Sequence, residues 1–168
     1  MISKNPIMSR RRWLQSAASL TAFALLSNVL SACGGSSAGE AEDSVTKLEL
    51  GCNGDELAYD KNSLSAPAGA KIELLFTNRS HHHQHNWVLV NGGEEEAMAV
   101  YQSALVTGID NDWLPPDSAQ VLTHTPLVDS GQSATVSFQA PTKPGTYSYL
   151  CTFPGHFLAG MKGTLTVT

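Results

Sequence analysis

The stretch Cys151-Thr152-Phe153-Pro154-Gly155-His156-Phe157-Leu158-Ala159-Gly160-Met161 constrains this chain more than any other. It sets a thiol, an imidazole and a thioether in a Cys-x4-His-x4-Met pattern. β-rich runs flank it at 146–150 and 164–167. A single loop between two strands would gather all three side chains. Pro154 stiffens such a loop, and Gly155 lets it turn tightly before His156. The fold must therefore bring these donors together at one end of a sheet.

The chemistry of the donors narrows the metal. Thiolate and thioether are soft ligands that suit copper(I). Two imidazoles and a thiolate in a plane, with a weak axial methionine, define a blue-copper electron-transfer site. Cys151, His156 and Met161 supply three of those four ligands, so a second histidine must come from elsewhere. Zinc fits poorly, because its structural sites are tetrahedral sets of Cys and His, usually with closely paired cysteines. One copper ion per chain is the expected cofactor.

The remaining sequence reads mostly as short strands, at 45–50, 70–77, 86–90, 119–125 and 133–138. Turns at Asp129-Ser130-Gly131 and Lys143-Pro144-Gly145 punctuate them. The segment 94–107 differs, with three acids first and then apolar residues at Met98, Tyr101, Leu105 and Val106. That pattern predicts a short amphipathic helix with its acids at the positive N-terminus. The fold class is all-β, a Greek-key β-sandwich with one short inserted helix.

The first 33 residues are set apart from that domain. Arg10-Arg11-Arg12 precedes a short apolar stretch, and Leu30-Ser31-Ala32-Cys33 follows. This reads as an export signal ending in a bacterial lipoprotein box, with Cys33 as the acylated residue. An uncleaved N-terminal anchor is the alternative. Residues 34–43 (GGSSAGEAED) are a flexible tether, and 44–168 form the domain. The lipid anchor makes the membrane a partner and places the domain outside the cytoplasm.

All fifteen acidic residues lie after Cys33 but only six of the ten basic ones do, leaving a net charge of −9. That balance argues against nucleic acid, which rewards basic surfaces. Two cysteines remain beyond Cys33. Since Cys151 has a ligand role, Cys52 is expected to be a free thiol acting as a small buried hydrophobe.

The second histidine has four neighbouring candidates in "SHHHQHNWVLV": His81, His82, His83 and His85. Trp87 and Leu89 should face the core, and strand alternation puts His85 on the same side. His81 and His83 share that parity, although the polar run is expected to leave regular strand. His124 reads as an ordinary surface histidine.

"CTFPGH" followed by "GMKGTLTV" resembles the copper loop of the azurin and auracyanin group of cupredoxins. The four-residue gap before Met161 is more similar to auracyanins; azurins typically have three. "QHNWVLV" and "HTPLVDSGQSATVSF" resemble other segments of the same group, so the likeness spans roughly 45–168. Cys52 stands alone where azurin-type proteins usually carry a disulfide. The resemblance selects His85, directly before Asn-Trp, as the second histidine ligand. It also implies an axial approach by the backbone carbonyl of Gln84. Asn86, Phe153 and Pro154 then surround the ligands. Asn86 is expected to tie the two ligand segments together and to aim its N–H at the Cys151 sulfur. His81, His82 and His83 are expected to form a solvated loop, with a weak secondary site for zinc, nickel or copper(II) as the alternative.

These readings converge on a one-electron carrier cycling between copper(I) and copper(II). It would be a monomer that docks transiently with redox proteins or membrane complexes near His156, with Pro154, Phe157 and Leu158 as an apolar collar. The alternative is extracytoplasmic copper delivery or storage. An enzyme is not expected. Copper oxidases need additional copper and adjacent His-Cys ligand pairs, whereas Leu150 and Thr152 flank Cys151.

Overall fold

The computed structural model describes residues 44–168. The expected export signal with Cys33, and the tether, lie outside the described residues. In chain order the elements are β1 (Thr46–Gly51), β2 (Ser63–Ala66), β3 (Lys71–Thr77), β4 (Val88–Val90) and helix α1 (Glu94–Thr107). They continue with β5 (Val121–His124), β6 (Ser133–Gln139), β7 (Gly145–Leu150), helix α2 (His156–Ala159) and β8 (Lys162–Val167).

The strands make two sheets, ordered β1-β3-β6 and β2-β8-β7-β4-β5. Strands adjacent in sequence often lie in different sheets, as a Greek-key sandwich requires. Along β3, Ile72, Leu74 and Phe76 are buried, and they stand opposite Phe138, Val136 and Ala134 of β6. Trp87, Leu89, Tyr149 and Leu165 bring the other sheet into the same core. Trp87 lies 5.7 Å from Phe138 between ring centroids. Each such large side chain contributes roughly 1.5–3 kcal/mol by leaving water.

The five-stranded sheet is covered on its other face too. Val88, Val90 and Leu150 point that way and meet Ala97, Val100 and Tyr101 of α1. This double cover explains why β4 is buried at every position rather than alternating. The helix has the predicted span, and Glu96 accepts a 2.8 Å hydrogen bond from the Gly93 N–H to cap its start. Its apolar face agrees with the predicted one only at buried Tyr101 and partly buried Met98. Ala97, Val100, Tyr101 and Ala104 are buried, while Leu105 is 42% exposed and Val106 87% exposed. Small alanines let the helix sit close to the sheet, so size rather than hydrophobicity chose the face.

Strand β2 was not foreseen. Only Leu64 and Ala66 are buried there, too short a pattern to stand out. Its parallel pairing with β8 is what makes it a strand. None of the helices among the described residues is long and apolar enough to cross a membrane.

Candidate metal centre

The pairing of β4 with β7 builds the site. Val88 stands opposite Leu150 and Leu89 opposite Tyr149 in antiparallel register. Continued past the strand ends, this register sets Asn86 across from Thr152, beside His85 and Cys151. The chain indeed closes there. Thr152 N–H donates to Asn86 Oδ1 at 2.9 Å, and Asn86 Nδ2 donates to Thr152 Oγ1 at 2.8 Å. His85 meanwhile turns toward another segment, exchanging backbone hydrogen bonds with Val128 at 3.1 and 2.8 Å.

The loop after β7 is closed by its own backbone. Cys151 N–H donates to the Met161 carbonyl at 3.1 Å, and Met161 N–H to the His156 carbonyl at 2.9 Å. Gly155, at a φ of 87°, adopts the left-handed conformation that a side chain would resist. Its N–H donates to the Tyr101 hydroxyl of α1 at 2.7 Å. The inserted helix thus holds the loop in place.

Three donor atoms converge. His85 Nδ1 and His156 Nδ1 are 3.1 Å apart, and the Cys151 sulfur lies 3.9 Å from the first and 3.5 Å from the second. His85 and Cys151 are fully buried, and His156 is 3% exposed. Met161 is fully buried in the same core cluster as Cys151. Gln84 is half-buried, and its side chain donates to Asp129 Oδ1 at 2.6 Å.

Burial sets the protonation states. It holds His85 down at about 4, helped by His156 and His83, and holds His156 at about 4, helped by His83. Both rings are therefore neutral near pH 7, with lone pairs to give. Burial pushes the Cys151 thiol up to about 12, against the pull of hydrogen bonds from the Asn86 and Phe153 backbone N–H groups. Only a cation in the cluster would make that sulfur a thiolate. Two imidazoles and a thiol, buried and aimed at one point, fit a copper ion.

The surroundings match the sequence reading in part. Asn86 bridges the two ligand segments as expected, and its carbonyl accepts from the Tyr59 hydroxyl at 2.7 Å. Phe153 packs on His156 at 4.6 Å between centroids. Pro154 is half-buried and Leu158 is 67% exposed. Phe157, expected on the surface collar, is instead buried and packs on Tyr101 at 5.3 Å. His156, expected near the surface, is covered by Phe153 and His83.

The histidine tract also divides. His81 and His82 are exposed, as expected. His83 is not fully solvated; it is half-buried, with its ring 5.8 Å from His156 and 6.1 Å from His85. His124 is exposed. Cys52 is buried and free, and it does more than fill space. Its thiol donates to Asn78 Oδ1 at 3.2 Å and accepts from the Arg79 N–H at 3.0 Å. The site contacts of Thr152, Tyr59 and Tyr101 have no signal in the sequence, because they join segments distant in the chain.

The sandwich and its buried Cys-His-His cluster define a copper-binding protein. The chain belongs to the family of copper-binding proteins of the plastocyanin/azurin type, whose family model matches residues 46–168. It is similar to the auracyanins of Chloroflexus aurantiacus. It is 46% identical to auracyanin-B over 128 residues, 76% of this chain but 54% of that protein. The match therefore spans about half of auracyanin-B's length. It is 40% identical to auracyanin-A over 154 residues, covering 88% of this chain and 92% of that protein. The structure of auracyanin A, a "blue" copper protein, superposes with a TM-score of 0.71 at 39% identity, over 74% of this chain and all of that one. Dithionite-reduced auracyanin from Roseiflexus castenholzii gives 0.71 at 42% identity, over 73% of this chain and 97% of that chain.

Proposed function

We propose that the protein is a one-electron carrier with a single type 1 blue copper centre. His85, Cys151 and His156 would hold the ion, and the buried Met161 would add a weaker thioether donor. The backbone carbonyl of Gln84, the residue before His85, would be a further candidate donor. The observation that carries this reading is the convergence of two neutral imidazole nitrogens and one buried sulfur. Bound there, copper supplies a reversible one-electron couple.

The residues around the cluster tune and hold it. The N–H groups of Asn86 and Phe153 stabilise negative charge on the Cys151 sulfur, which favours a higher potential. The Asn86–Thr152 pair and the Tyr101–Gly155 bond tie together the segments that carry the donors, which would limit rearrangement when an electron moves. Burial keeps water out. Partners dock transiently over the covered edge of His156, where Pro154 and Leu158 reach the surface. The protein works as a monomer without catalysing a reaction of its own. Arg10-Arg11-Arg12 and the segment ending in Cys33 support export and lipid anchoring outside the cytoplasmic membrane.

The copper-loaded protein should be blue, bleach on reduction and regain its colour on reoxidation with its copper retained. Cys151→Ser should abolish the intense visible band. A colourless copper-loaded protein would overturn the assignment. Copper loss at each reduction would favour delivery or storage instead.

A further inference from the structure

The histidines left over by the copper cluster are not equivalent, and two of them make a second arrangement. His81 Nδ1 lies 3.1 Å from Asp55 Oδ2, and the His81 backbone N–H donates to Asp55 Oδ1 at 2.6 Å. One carboxylate thus holds both the ring and the backbone of His81. The His82 ring lies beside it, 6.2 Å away between centroids. Both histidines and Asp55 face solvent.

A carboxylate on one ring nitrogen fixes the tautomer. It takes the Nδ1 proton of His81 as its hydrogen bond and leaves the Nε2 lone pair pointing outward. Metal-binding histidines are commonly oriented this way by an outer carboxylate. The hydrogen bonds from the backbone and ring of His81 hold Asp55 below the usual carboxylate range, so it stays charged in that role.

The loop carrying the pair is pinned. Ser80 is buried, its N–H donating to Asn78 Oδ1 at 3.0 Å and its hydroxyl to the His83 carbonyl at 2.8 Å. The His83 N–H returns a 3.0 Å bond to that hydroxyl, and Asn78 Nδ2 also donates to the His83 carbonyl at 2.8 Å. His81 and His82 therefore project from a turn anchored on both sides. With the His81 ring held by Asp55, the exposed His82 side chain is the one free to turn toward a shared ion.

We propose that His81 and His82, with Asp55 orienting His81, form a solvent-facing site for one divalent cation of the zinc, nickel or copper(II) class. Imidazole suits all three ions. The ion's remaining ligands are water. The site is separate from the buried cluster and does not depend on the electron-carrier reading. His83 takes no part, since its ring is turned onto His85 and His156.

The test is a zinc titration of the copper-loaded protein, purified without an affinity tag, followed by calorimetry and visible absorption. One zinc should bind per chain, with no loss of copper. Replacing both residues, His81→Ala and His82→Ala, should abolish binding. Asp55→Asn should weaken it ~10–100-fold, as the loss of an outer carboxylate does. His124→Ala should change nothing. Unfolding temperatures should match across the set, because all the replaced side chains are exposed. Equal zinc affinity in the double variant would show adventitious surface binding and overturn the proposal. So would an unmodified chain that binds no zinc at millimolar concentration, or zinc uptake matched by copper release.

Discussion

Asn86 joins the segment carrying His85 to the loop carrying Cys151, and replacing it by Ala measures that joint. The substitution removes the acceptor of the Thr152 N–H and the donor to Thr152 Oγ1. Thr152 is fully buried, so no water can replace either partner. Stranding the Thr152 N–H costs ~1–3 kcal/mol, and the second lost bond adds ~0.5–1.5. A third bond, to the Asp112 carbonyl, is only partly buried and adds little. The backbone groups of Asn86 keep their contacts with Cys151 and Tyr59. The expected destabilisation of the metal-free protein is therefore about 2–4 kcal/mol. With a slope of ~2 kcal/mol per molar urea, mid-range for a small protein, the unfolding midpoint should fall by roughly 1–2 M. Urea unfolding followed by tryptophan fluorescence gives the number directly. A loss below ~1 kcal/mol would refute the reasoning, since it would mean Thr152 finds other partners.

Two further outcomes follow from the same packing. His85 and His156 are held at about 4 against an ordinary 6.5, so the stability from keeping them neutral is complete above pH 6.5 and lost as pH falls through about 4. At about 1.4 kcal/mol per pH unit this is on the order of a few kcal/mol for the pair of imidazoles together. Cys151, raised from 9.0 to about 12, acts oppositely; its contribution is present below pH 9 and lost as pH rises toward 12. The melting temperature of metal-free protein should therefore be highest between those limits, and an equal value at pH 4 and 7 would contradict the burial argument. Gly163→Ala should destabilise by at least ~1–3 kcal/mol, the usual cost of overpacking. Its new Cβ would meet the buried Tyr149 ring at 2.4–2.6 Å, and chemical denaturation against the parent chain would measure the loss.

Three of the proposed ligands were legible because the spacing of one loop carried them. Cys151, His156 and Met161 lie within a single turn between strands, so no long-range information was needed. His85 was harder. Alternation with Trp87 and Leu89 pointed inward, but that parity was shared by His81 and His83. The resemblance of the segment before Asn-Trp singled out His85, and the contact with Val128 and the register of β4 on β7 are what place it beside Cys151.

Other features had no local signal at all. The buried face of α1 is set by small alanines against the sheet, while the more hydrophobic Leu105 and Val106 point to water. His83 carries the same side chain as its two neighbours, yet lies against the ligand rings because Ser80 and Asn78 hold its backbone.

By itself the sequence determined the donor set, the span of the helix and most of the strands. Each depends on residue type and short-range spacing, which survive in one dimension. The tertiary structure decided which histidine meets Cys151, how deeply His156 lies, and which side chains shift their proton affinities. Those are properties of burial and mutual distance, and they exist only once strands far apart in the chain pack together.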